Sequence, residues 1–199
     1  MNLRISLLLS LLLSPFTMTA YATDPPAQWR ASWPATDFSK ATVDFGEIRS
    51  GGPGKDGIPA IDAPRLVPLA DYTAADDKEP VVGLVINSEA RAYPLRVLIW
   101  HEIVNDEVGG VPVTITYCPL CNTSVVFERR LEGRLLDFGT TGNLRHSDLV
   151  MYDRQTQSWW QQYGGEAIVG ALAGKRLRVV PSRLESLAGS VMIGQSASY

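Results

Sequence analysis

Cysteine and histidine are scarce: the 199 residues include two of each. Two cysteines exclude a four-cysteine zinc ribbon. Charge of one sign does not accumulate either. Lys and Arg number 18 against 21 Asp and Glu, a formal charge of −3, and no basic block or stripe occurs. A nucleic-acid partner is therefore not expected. Long apolar runs are missing after the first residues, so no transmembrane anchor is expected once a leader is removed. The one such run, Ile5 to Leu13, is shorter than the about 20 residues needed to span a bilayer. No repeat of fixed period is visible.

That N-terminal run has the pattern of a signal peptide. Arg4 precedes it, Pro15 follows it, and Ala20-Tyr21-Ala22 matches the small-x-small cleavage pattern. We expect residues 1–22 to be a leader, 23–44 an extended arm, and 45–199 one β-rich domain. The expected location is the periplasm or the cell exterior, where disulfides form and persist. In the arm, Trp29 and Trp33 are expected to anchor the chain on the body.

From Pro80 onward short strands dominate. Val81–Ile86 and Ala90–Leu95 flank a turn at Asn87-Ser88-Glu89, and a short helix is expected over Arg96–His101. Ile103–Val108 and Val111–Tyr117 flank Gly109-Gly110, a hairpin pair. Ser124–Arg129, Arg134–Phe138, Leu149–Tyr152, Ser158–Gln161, Ala167–Leu172 and Arg176–Val180 are further strand candidates. Trp159-Trp160 reads as core packing. The fold class is mainly β (β-rich α+β): a single compact domain of short, mostly antiparallel strands with one or two short helices.

The chemistry concentrates at Cys118-Pro119-Leu120-Cys121, which ends an apolar, β-branched run. Three readings are open. A redox or redox-sensing dithiol needs a thiolate of lowered pKa. The poor helix formers after Cys121 and the missing βαβ context exclude a thioredoxin-like scaffold, not the chemistry. Cys–His nucleophilic catalysis with His101 as base is a variant of this reading. Alternatively, the two thiolates can grip Cu or Zn, with His101 and His146 as further ligands and Met151 as a soft donor. A structural disulfide is the third reading. Closing so short a loop adds only about 2 kcal/mol in the chain-entropy model, against about 3 for fifteen residues.

Ser50 to Gly57 is a tight glycine-rich loop, but its spacing is not that of a P-loop, and Asp56 after Lys55 disfavours phosphate. It reads as structural. Trp100-His101-Glu102 and Asn105-Asp106 line a site or cap and turn. Arg145-His146-Ser147-Asp148 and Asp153-Arg154 are expected to form internal Asp–Arg ion pairs.

Five stretches together resemble the domain-of-unknown-function 3179 (DUF3179) family. They are Ser50–Pro53 with Lys55–Asp62, Glu89–Leu95, Trp100–Asp106, Thr116–Cys121 and Ser147–Thr156. The resemblance covers roughly residues 45 to 180 and brings no assigned reaction. It implies that His101, Cys118 and Cys121 belong to one pattern, and so to one shared site. His146 falls where similar proteins often carry another residue type. The stretch from about Leu184 to Tyr199 departs from the family's ending. The leading expectation is an exported thiol/disulfide redox protein acting through Cys118, Cys121 and His101. The alternatives are a copper- or zinc-binding module served by an exported or metal-donor partner, and a structural or interaction domain.

Overall fold

A computed structural model describes residues 24–72 and 76–190. The expected leader (1–22) and residues 191–199 of the atypical ending lie outside the described residues. The chain forms α1 (Ala27–Ser32), β1 (Ile48–Ser50), β2 (Ile61–Asp62), β3 (Pro80–Ile86), β4 (Glu89–Pro94) and α2 (Leu95–His101). Then follow β5 (Ile103–Val108), β6 (Val111–Cys118), β7 (Thr123–Glu128), β8 (Arg130–Leu131), β9 (Arg134–Leu135) and β10 (Phe138–Arg145). The last strands are β11 (Asp148–Asp153), β12 (Trp159–Gln161), β13 (Glu166–Val169), β14 (Val179–Val180) and β15 (Arg183–Ser186).

Two five-stranded sheets carry the architecture. The first runs β1-β10-β11-β12-β13 and the second β14-β7-β6-β5-β2. A three-stranded sheet, β15-β3-β4, and the small β8-β9 ribbon complete it. Every strand pair is antiparallel except β2 with β5. The expected β-rich, mostly antiparallel single domain is what forms. Among the described residues, no helix is long and apolar enough to cross a membrane.

Side-chain alternation along the strands sorts the apolar residues into layers. On β6, Val113, Ile115 and Tyr117 face a core shared with β3, β4 and α2. Cys118, on the opposite face, joins a core between the two large sheets with Phe127, Phe138, Leu149, Met151 and Trp160. The far face of the first sheet is covered by the N-terminal arm. There Trp29, Trp33, Phe38 and Phe45 pack on Val150, Tyr152 and Trp159. Trp29 and Trp33 meet the Trp159 ring edge-on at 4.9 and 5.2 Å. Adjacent Trp159 and Trp160, both fully buried, thus serve opposite faces of one sheet.

Turn chemistry sets the hairpins. Asn87 and Ser88, and Gly109 and Gly110, all have positive φ, as two-residue hairpin loops of the primed type require. Asn105 bonds the two large sheets together. Its side-chain amide donates to the Phe138 carbonyl (2.8 Å) and accepts from the Phe138 N–H (3.0 Å). It does what a neighbouring backbone would do.

Several expectations are corrected. The eight-residue β10 lies where no strand was expected beyond Phe138, because Gly139 and Gly142 interrupt its pattern. Gly142, at φ 76°, sits in a register shift of the β10–β11 pair. The strand expected over Ala167–Leu172 stops at Val169, before Gly170 at φ 105°. Of Arg176–Val180 only Val179–Val180 is a strand, and Arg176 makes an isolated bridge to Glu166. The arm holds the unexpected helix α1. Part of the atypical ending pairs, since β15 lies antiparallel to β3.

Candidate functional site

Two hairpin tips, one from each large sheet, meet at the cysteines. Cys118 and Thr123 form the last pair of the β6–β7 ladder, so Pro119 to Asn122 is the connecting turn. Asn122 takes φ 46° there, a conformation asparagine tolerates. In the facing hairpin, Arg145 pairs with Asp148 and the loop is His146-Ser147, with φ 53° and 65°. Both loops are held by side chains. Tyr117 Oη donates to Asn122 (3.0 Å), and Thr123 Oγ1 donates to the Cys121 carbonyl (2.9 Å). Gln162, fully buried, donates to Thr116 Oγ1 (2.8 Å) and the Thr123 carbonyl (3.3 Å).

The tips bring Cys118, Cys121 and Asp148 together. One sulfur from each cysteine and a carboxylate oxygen all lie within 4.8 Å of one another. Both thiols are free. Cys121 Sγ donates to Asp148 Oδ1 (3.4 Å), and Cys118 Sγ to the Ser147 carbonyl (3.7 Å). The buried Asp148 carboxylate is itself oriented from behind. Its Oδ2 accepts from Gln161 Nε2 and from the Tyr163 N–H (3.0 Å). Burial pushes the Cys121 thiol up to about 12, and its hydrogen bond with Cys118 adds to the effect. The uncharged thiol is the resting form. Leu120, 69% exposed, keeps the turn at the surface.

Neither histidine is a member of this three-residue group. His101 closes α2, and its Nδ1–H donates to the Pro59 carbonyl (2.8 Å). His146 sits in the hairpin loop itself, with Nε2 3.6 Å from Glu47 Oε2. Met151 lies in the same apolar core as Cys118.

Asp148 was expected in an ion pair with arginine, and the structure corrects this. Arg145 is drawn to Glu47, at 2.6 and 2.7 Å, which leaves Asp148 to Gln161 and Cys121. Among the described residues, Asp153 also has no arginine partner. It accepts from Thr156 N (2.6 Å) and Trp160 Nε1 (2.9 Å). The Asp–Arg expectation holds for Arg154, which pairs with Asp62 at 2.6 Å.

Glu102, next to His101, is a further titratable group with a perturbed carboxyl. It ends α2 in the left-handed conformation (φ 57°), and its carbonyl accepts from the Tyr117 N–H (2.8 Å). Burial pushes its carboxyl up to about 7. An apolar cavity of about 1060 Å³ lies elsewhere, between α2 and the three-stranded sheet, and no cysteine or histidine lines it.

A family model described as "protein of unknown function (DUF3179)" matches residues 55–190. The chain belongs to the DUF3179 family. No curated protein and no solved structure matches the chain. The DUF3179 match spans all three members of the cysteine–aspartate group, His101 and Glu102.

Proposed function

We propose that this DUF3179 protein is a metal-binding protein in which Cys118, Cys121 and Asp148 hold a zinc ion, and that it works outside the cytoplasm. The observation that carries this reading is the convergence of three ligand atoms within 4.8 Å. Ligand atoms on a tetrahedral zinc with bonds of about 2.0–2.3 Å stand roughly 3.3–3.8 Å apart, so only a small closure is needed. The carboxylate favours zinc over Cu(I), which prefers soft donors throughout. Gln161 and the Tyr163 N–H play the part that outer partners play for ligating carboxylates. The raised pKa of Cys121 supports the same side. A thiol that resists ionisation on its own is a poor nucleophile, whereas a bound dication deprotonates it. Three protein ligands leave a fourth position open, as in zinc sites that act on a substrate.

A second reading keeps the cysteines as a redox pair. It is favoured by two free thiols within 4.8 Å of each other. Closing them to a disulfide releases two protons and passes two electrons to an oxidised partner dithiol. One experiment separates the readings: intact mass, thiol count and metal content of protein purified from the exported fraction. Two free thiols with one equivalent of zinc, lost in the Cys118→Ser, Cys121→Ser double variant, is the expected result. A mass two daltons low with no metal overturns the zinc reading and favours the redox pair.

A further inference from the structure

A second polar site lies on the other side of the segment that carries Pro59 and Ala60. Ala60 packs against the cysteine-bearing core, and both residues also line a cavity of about 410 Å³. The charged lining is balanced: Lys55 and Arg154 against Asp56 and Asp62, with Tyr152 and Gln157. The loop bearing Lys55 and Asp56 is pressed onto β10. Asp56 N donates to the Thr140 carbonyl (2.9 Å), and Thr140 Oγ1 donates to the Ile58 carbonyl (2.8 Å). A Cβ at Gly139 would stand 2.5 Å from Asp56 Oδ1, and one at Gly142 1.9 Å from the Pro53 carbonyl oxygen. Both glycines are what lets the loop come so close.

Two features of the lining are unspent, the Lys55 ammonium and the Gln157 carbonyl. The Lys55 ammonium sits 4.4 Å from the centre of the Trp33 ring and 4.9 Å from that of Tyr152, and it has no carboxylate partner among the described residues. The Arg154 guanidinium bonds Asp62 from Nη1 (2.6 Å) and also faces the Tyr152 hydroxyl and Asp56. Gln157 Oε1 is buried with no hydrogen-bond partner, which costs free energy unless a donor reaches it. Asp56 and Gln157 are also both held at positive φ, 52° and 54°.

We propose that this cavity binds a small zwitterion of the α-amino-acid class. The ligand carboxylate meets the Lys55 ammonium, with the Arg154 guanidinium nearby adding to the positive potential. Its ammonium meets Asp56 and the orphaned Gln157 Oε1. The volume lies within the usual range for small-molecule sites. Paired acids and bases favour such a ligand over a bare anion, because a phosphate would face Asp56 and Asp62. The cavity shares no residue with the cysteine–aspartate group, so the two proposals stand or fall separately.

Titration calorimetry of the wild-type protein against the twenty common amino acids tests it, with acetate, methylamine and inorganic phosphate as partial mimics. At least one amino acid is expected to bind with Kd below about 1 mM, and each mimic at least tenfold more weakly. Lys55→Gln and Arg154→Gln should each weaken that amino acid at least tenfold without changing the far-UV circular dichroism. No saturable binding of any amino acid up to about 10 mM overturns the proposal, and this result requires no variant. Equal binding of acetate or phosphate also overturns it.

Discussion

Glu102 makes stability depend on pH in a direction opposite to that of most carboxylates. Its carboxyl is pushed from 4.5 up to about 7 by burial alone. In the unfolded chain it loses its proton near its ordinary value, so between those values the folded state holds more protons. Stability from this group is therefore full below about pH 4.5, falls as pH rises, and is at its lowest above about pH 7. A shift of that size corresponds to about 3 kcal/mol at face value. The side chain is only partly buried, and solvent screening reduces this to about 1–2 kcal/mol. Glu102→Gln removes the charge and keeps the shape. At pH 7.5 it should stabilise the protein by that amount, raising the Tm by about 2–8 °C for a chain of this length. At pH 4.5 the two proteins should melt together. Melting curves by circular dichroism at half-unit steps, with metal removed, give the comparison. If the Tm difference between wild type and Glu102→Gln does not grow from pH 4.5 to 7.5, the carboxyl is not held protonated by burial.

Asn105→Ala leaves the Phe138 N–H and carbonyl buried without partners, and chemical denaturation should show a loss of about 2–5 kcal/mol. Trp159→Ala opens the contact with Trp29, Trp33 and Phe38 and should cost about 3–5 kcal/mol by the same measurement. Gly142→Ala places a methyl group against the Pro53 carbonyl at a positive φ, and limited proteolysis should then cut the 51–57 loop faster than in wild type. On the zinc reading, Gln161→Leu frees Asp148 from one orienting bond and should weaken zinc binding 10–100-fold in a chelator competition, with both thiols still countable.

Those parts of the fold whose signals are local were legible in the residues. Each of the hairpins around Asn87-Ser88 and Gly109-Gly110 joins two strands of plain apolar pattern through residues that accept positive φ. β10 was not legible, because its glycines are required by a loop some 80 residues earlier in the chain. Thr140 Oγ1 reaches the Ile58 carbonyl, and Gly142 makes room for Pro53. No window around residue 140 contains that information. The same holds for β1 and β2, whose partners are β10 and β5.

The candidate site follows the same division. The two cysteines were visible because their spacing is local, and both lie at the tight turn between β6 and β7. Asp148 was visible only as an acid near Arg145. Its role depends on Glu47, which takes Arg145 away from it, and on the alternation that turns Cys118 toward the first sheet while Tyr117 faces the third. A one-residue slip of β6 would exchange those faces and take Cys118 out of reach of Asp148. The register of β6 is fixed on both sides, by Asn105↔Thr114 with β5 and Tyr117↔Ser124 with β7. The meeting of thiols and carboxylate is thus a property of sheet register. It should survive changes of side chain within the turn, such as Leu120→Ala, and it should be lost with changes that unpair β6 from β5.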